Sequence, residues 1–207
     1  MLLFEGFPKI PRFSREVIVT EKIDGTNAQI LIGETGGFFT GSRKRWITPE
    51  NDNHGFSSWA HEHKGELMRL GPGRHFGEWW GSGVQRGYGL PPGEKRFSLF
   101  NVLRWCPHDQ DPQAIPTGNP NNGNNRMQES LPECVGLVPI LWRGLFDQLD
   151  LNEILIDLRR NGSRAAPGFM RPEGVVVFHI AGRVGFKKTL EKDDVPKRTL
   201  TKAFAGL

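Results

Sequence analysis

The stretch VIVTEKIDGTNAQILI, residues 17–32, limits most strongly what this chain can become. An apolar run leads into Lys22, a second follows at residues 28–32, and Asp24-Gly25-Thr26-Asn27 lies between them. Short runs rich in β-branched residues form strands and a glycine permits the bend, so the stretch reads as strand, tight turn and strand, paired in a hairpin. Side chains alternate along a strand, which sends Lys22 and Asp24 to the same side. A lysine held by a strand end beside a carboxylate and a glycine turn can be a positioned nucleophile. The plainer reading is a surface hairpin with a charged mouth, and Lys-x-Asp-Gly alone is too short and common to displace it.

Other segments frame this stretch. Residues 1–16, with Pro8 and Pro11, read as an extended arm, and Gly36-Gly37 as a hairpin turn into FFTGSR. Phe56, Trp59, Ala60, His63 and Leu67 fall at helical spacing, which predicts a helix over 56–70 ended by Gly71-Pro72-Gly73. Strands are expected at 74–81 (RHFGEWWG), 96–105 (RFSLFNVLRW) and 135–142, with a turn-rich loop at 83–93. Leu149, Ile154, Leu155 and Leu158 predict a helix over 147–160 closed by Asn161-Gly162. Residues 173–180 (EGVVVFHI) and 183–190 (RVGFKKTL) form a last hairpin across Ala181-Gly182.

Composition bounds the function. The chain has 207 residues, 37% of them hydrophobic, enough for the core of one domain over 1–207. Proline, asparagine, glycine and glutamine dominate residues 107–132, which read as a flexible surface insertion. A formal charge of +4 is compatible with a polyanionic partner. Cys106 and Cys134 lack metal-ligand or CxxC spacing and read as reduced thiols of an intracellular protein. Nothing reads as a signal peptide, and no apolar run is long enough to span a bilayer, so a soluble, cytoplasmic protein is expected.

Six short motifs then occur in order: EKIDGTN, SRKR, FGEWWG, LFNV, PEGVVV and FKKT. Together they resemble the covalent nucleotidyltransferase superfamily of DNA ligases, RNA ligases and mRNA capping enzymes, and within it the RNA ligase 2-like branch of ATP-dependent RNA ligases. The resemblance runs from about residue 17 to 190 and covers an adenylation domain only. It implies an α+β fold, two packed antiparallel β-sheets with flanking helices, of the nucleotidyltransferase (ATP-grasp-like ligase adenylation) kind. With about twenty residues after FKKT, no OB-fold is expected.

The resemblance also implies roles. Lys22 would attack the α-phosphorus of ATP and carry AMP, assisted by Lys187 or Lys188, Arg43 and Asp24. The nucleotide would be bound by Glu21, Lys22, Ile23, Asn27, Arg43, Glu78, Phe100, Glu173 and Lys187. Glu78 would hold the ribose hydroxyls, Phe100 would stack on adenine, and Glu173 would organise a Mg2+ or Mn2+ ion. A free lysine, with a pKa of about 10.4, is protonated at neutral pH, and nearby cations favour its amine form. Alternation in RFSLFNVLRW puts Phe100 on one face with Ser98 and Val102, which leaves base stacking and core packing both open. Trp46, Trp79 and Trp80 stand equally open between base stacking and core. Many relatives carry two lysines separated by one residue where this chain has Lys187-Lys188; adjacent strand residues face opposite ways, so only one reaches the phosphate, with Lys187 preferred because it follows Phe186. The activity implied is sealing of an adenylated 5′-phosphate to a 3′-hydroxyl in RNA repair, with RNA favoured over DNA, no membrane partner and a monomer allowed. The alternatives are a GTP-dependent guanylyltransferase of the capping type and an inactive nucleic-acid end-binding module.

Overall fold

A computed structural model of the protein describes residues 3, 4, 6, 7, 9–101, 105 and 131–191. Val102, Cys106 and all but the last two residues of the expected insertion at 107–132 lie outside the described residues. The fold is α+β. One sheet has the order β10-β9-β1-β8, built from β1 (Glu16–Lys22), β8 (Ile140–Leu145), β9 (Gly174–His179) and β10 (Val184–Thr189). The other has the order β4-β3-β2-β5-β6-β7, from β2 (Thr26–Ile32), β3 (Phe38–Ser42), β4 (Trp46–Ile47), β5 (Gly73–Gly81), β6 (Lys95–Leu99) and β7 (Val135–Leu137).

Alternation decides which face of each sheet is covered. In the larger sheet Ala28, Ile30, Ile32, Trp79 and Phe97 point one way and pack on Phe56, Ala60 and Leu67 of α1 (Phe56–Glu62) and α2 (Lys64–Leu67). In the smaller sheet Val17, Val19, Val175 and Val177 pack on Leu155 and Leu158 of α3 (Leu151–Asn161). Burying each such side chain contributes about 1.5–3 kcal/mol. Asp150 caps α3 by accepting the Glu153 amide at 3.0 Å. A third cluster of Ile23, Trp80, Tyr88, Val138 and Ala166 packs where the two sheets meet. The faces turned away from the helices, bearing Lys22 on one sheet and Glu78 on the other, form the walls of a groove.

Several expectations are corrected. β1 and β2 are not a hairpin: β1 pairs with β8 and β9, β2 with β3 and β5, and residues 23–25 carry the chain from one sheet to the other. The single strand over 135–142 splits at Pro139, whose missing amide hydrogen cannot join a ladder, so β7 ends in the larger sheet and β8 begins in the smaller. β7 also runs parallel to β6, so the larger sheet is not wholly antiparallel. The 56–70 helix is interrupted at His63 and finishes as a 3-10 turn over Met68–Leu70. The 147–160 helix starts only at Leu151, after a separate 3-10 turn over Phe146–Gln148. The strand expected over 96–105 stops at Leu99, and Trp105 is helical.

Candidate active site

Lys22 is the last residue of β1, directly before the chain leaves the smaller sheet. Its register partner is Gly174, the first residue of β9. That pairing sets Glu173 beside it, and the Lys22 ammonium donates to Glu173 Oε2 at 2.6 Å. Glu173 is buried while Lys22 remains about a quarter exposed, so the pair opens on the groove from the lysine side. Gly174 has φ 154°, and a Cβ there would fall on the Lys188 carbonyl oxygen and 2.7 Å from Thr189 Cα. Only glycine lets β10 close so tightly over Glu173.

The turn after Lys22 is clamped from several sides. A Cβ on Gly25 would overlap the Trp79 carbonyl oxygen and come within 2.7 Å of Trp80 Cβ, so the turn lies flat on β5. Glu78 takes the Gly25 amide on Oε1 at 3.1 Å and Asn27 Nδ2 on Oε2 at 2.9 Å. Burial pushes the Glu78 carboxyl up to about 7, against the opposing pull of Lys22, Gly25 and Asn27. Asp24 accepts Arg86 Nε at 3.0 Å, and its amide donates to the Tyr88 hydroxyl at 2.9 Å. Arg86 also donates to the Arg171 carbonyl at 3.0 Å, so one guanidinium ties the Lys22 turn to the segment entering Glu173. Tyr88 sits at φ 52° and is buried against Trp80 and Phe169. Packing holds its backbone in that sparsely populated region.

The remaining expected residues separate. Cross-strand partners share a face, so Lys187, opposite Val176 and in line with Thr20, projects on the Lys22 side. Lys188, opposite Val175 and in line with Glu21, projects on the α3 side. Asn27 lines the groove, while Ile23 is buried in the cluster between the sheets. Arg43 is exposed, one residue beyond the Ser42–Ala28 pair, at the same end of the sheet as Asn27 and Glu78. Phe100 follows β6 on the groove face and is more than a third exposed, which removes core packing as its role. Trp79 and Trp80 are core residues. Glu21 faces away from Lys22, and its buried carboxylate accepts Ser163 Oγ at 2.6 Å and the amides of Arg164 and Ala165. Burial raises its pKa, and those donors oppose the rise. Its carboxylate is a latch on the loop after α3.

Sequence reasoning missed Arg86, Tyr88 and Ser163. The first two lie in a glycine-rich segment read only as a loop; an arginine and a tyrosine among GSGVQRGYG were the available signal. Among the described residues no three His, Cys, Asp or Glu side chains cluster as a metal cage. Glu173 and Glu78 are the buried carboxylates at the groove, and Glu78 is engaged by the Gly25 amide and Asn27, so Glu173 is the one placed for a cation. It suits a hard cation that keeps most of its waters, and not a tetrahedral zinc site.

The two sheets thus bring a partly exposed lysine against a buried glutamate at the groove, with Glu78 on the facing wall. The RNA ligase family model matches residues 15–192, and the chain belongs to that family. Solved structures share the fold. A Naegleria gruberi RNA ligase with PPi matches at TM-score 0.55 and 18% identity over 93% of this chain and 52% of its own. An archaeal ATP-dependent RNA ligase matches at TM-score 0.54 and 20% identity over 98% of this chain and 52% of its own. A mutant of the Naegleria enzyme with ATP and Mn matches at TM-score 0.52 and 20% identity over 85% of this chain and 49% of its own. The chain thus spans about half the length of the solved structures it matches. No curated protein matches it. Among the described residues no helix is long and apolar enough to cross a membrane.

Proposed function

We propose that this chain is the adenylating, nucleotidyltransferase part of an ATP-dependent RNA ligase, with Lys22 as the residue that carries AMP. The observation that carries the reading is Lys22 at the groove in contact with a buried Glu173, under a strand that turns Lys187 to the same side. Lys22 Nζ, as the free amine, forms a bond to the α-phosphorus of ATP while the bond to pyrophosphate breaks. AMP then passes to a 5′-phosphate, and a 3′-hydroxyl attacks that phosphate and expels AMP.

The protein's own groups supply positions and charge. Glu173 accepts from Lys22 Nζ at 2.6 Å and so fixes the nitrogen at the groove. Lys187 and Arg43 bring positive charge toward the phosphates and offset the developing pyrophosphate charge. Each Glu78 oxygen keeps a lone pair beyond its bond to the turn, available to a ribose hydroxyl. Phe100 offers its exposed ring to adenine. Glu173 would hold a Mg2+ or Mn2+ ion through waters, and the ion's charge would offset that of the phosphates.

The test is incubation with α-labelled ATP or GTP and magnesium, followed by a denaturing gel. A labelled band from ATP that requires Lys22 supports the reading. Labelling from GTP alone points to a capping-type guanylyltransferase, and none from either to an end-binding module.

A further inference from the structure

The groove wall of the larger sheet continues well past Glu78. Register alignments put Trp46, Gly41, Gln29, Phe76 and Phe100 in one row across five adjacent strand positions. Cross-strand partners share a face, and the opposite face is the core under α1, so the row lies on the open side. Phe39, two residues along β3 from Gly41, lies on the same side with its ring 5.9 Å from Trp46. These rings are not core: Phe39 is 52%, Trp46 48%, Phe76 38% and Phe100 36% exposed.

The row is built from specific contacts. A Cβ on Gly41 would come within 2.9 Å of Gln29 Cγ, so the glycine leaves space for Gln29 to lie across β3. Gln29 is fixed there, donating to the Ser42 carbonyl at 3.0 Å and accepting Arg74 Nη1 at 2.9 Å. Arg74 lays its guanidinium over the Trp46 ring at 5.2 Å. Asn101 donates to the Arg74 carbonyl and accepts the Phe76 amide, fixing the chain beside Phe100. The turn entering Trp46 adds the exposed Arg43, Lys44 and Arg45.

We propose that this face is a track for the unpaired bases of an RNA strand, running from the candidate adenylation site outward to Trp46. This rests on the RNA ligase reading and deepens it by specifying an unpaired end, and not a nick in a duplex, as the strand it grips. Beyond Phe100, the proposed adenine seat, three strand spacings of about 4.8 Å carry the row about 14 Å from Phe76 to Trp46. Stacked bases rise by about 3.4 Å, so the row is long enough for several nucleotides. Aromatic faces spaced among cations suit a polyanion with free base faces, and a duplex keeps those faces covered. The interspersed Arg74, Arg43, Lys44 and Arg45 fit an apolar protein face poorly.

The experiment compares the full chain with its Trp46→Ala, Trp46→Phe and Arg74→Ala variants. Anisotropy measures binding of a 5′-phosphorylated 12-nucleotide RNA, single-stranded or in a nicked duplex, and a gel measures covalent labelling from ATP. Removing one stacking ring should weaken single-strand binding about tenfold, with Trp46→Phe keeping most of it. Arg74→Ala should weaken it by a smaller factor. Nicked-duplex binding and ATP labelling should stay within twofold. Wild-type single-strand affinity in Trp46→Ala, an equal loss on both RNAs, or a change in sedimentation without a change in affinity overturns the proposal, the last by making the face a seat for protein. Absence of ATP labelling in the wild type sinks the ligase reading instead, while the binding arm still judges the track.

Discussion

Lys22 and Glu173 are 151 residues apart in sequence, yet their side chains meet at 2.6 Å because Lys22 and Gly174 are register partners at the ends of β1 and β9. The contact therefore depends on backbone pairing as well as on the attraction of two charges. Glu173 is buried, so removing its cation leaves an uncompensated carboxylate. Lys22→Ala should abolish covalent labelling from ATP and also lower stability by about 1–3 kcal/mol. Adding Glu173→Gln to Lys22→Ala should return part of that stability, since partners in contact do not add independently. Labelling of Lys22→Ala at the wild-type level would falsify the assignment of the nucleophile.

Glu173 and Asp24 are both carboxylates next to Lys22 in the fold, but only Glu173 touches it. Glu173→Ala should therefore reduce labelling more than Asp24→Ala, and excess manganese should restore part of the Glu173 loss. Equal losses that ignore the metal would count against Glu173 as its holder.

Arg86 acts at one remove, gripping Asp24 and the Arg171 carbonyl together. Arg86→Ala should slow labelling about ten- to a hundredfold by letting the Lys22 turn shift, with Arg86→Lys partly effective. Because Arg86 and Asp24 act as one unit, Arg86→Ala with Asp24→Asn should be little worse than either alone. Fully additive losses would show that Arg86 works through something other than Asp24.

How far the sequence could be read follows from where its information lies. Strand ends were legible because apolar runs stop at Lys22, Glu173 and Gly81, and the motif order brought out Lys22, Glu78 and Glu173 together. Strand partners were not. A strand, a turn and a strand look alike whether the two pair or part, and here Ile23 crosses between sheets because its side chain is buried with Trp80 and Tyr88. Pro139 was a readable break whose consequence, one segment shared between two sheets, belongs to tertiary pairing. The opposite facings of Lys187 and Lys188 follow from strand alternation, but which faces the groove needed the Val176 pairing. Glu21 stood next to Lys22 in sequence and turned out to serve the loop behind the strand.

Glu78 offers a pH test that needs no substrate. Its ordinary carboxyl value is 4.5, and burial raises it to about 7 in the folded protein. Between those values the folded state binds the proton and the unfolded state does not, so stability falls as pH rises through this window. Glu78→Gln should flatten that part of the profile, read as the urea midpoint at pH 5 and pH 7.5. A variant that keeps the wild-type slope would place the titrating group elsewhere.

Lys187 and Lys188 provide the last test, since one strand step separates them and the sheet sends them to opposite faces. Lys187 pairs with Val176 on the Lys22 side, and its exposed chain can extend over the groove toward a bound triphosphate. Lys188 pairs with Val175, whose side chain belongs to the α3 cluster. Lys187→Ala should lower the rate of labelling by about two orders of magnitude, the scale of removing one preorganised charge donor. Lys188→Ala should act mainly on stability, through the α3 side, and leave labelling close to wild type. Single-turnover labelling rates, with melting temperatures measured on the same samples, separate the two effects. A loss of labelling at Lys188 with none at Lys187 would mean that β10 slides by one residue when nucleotide binds.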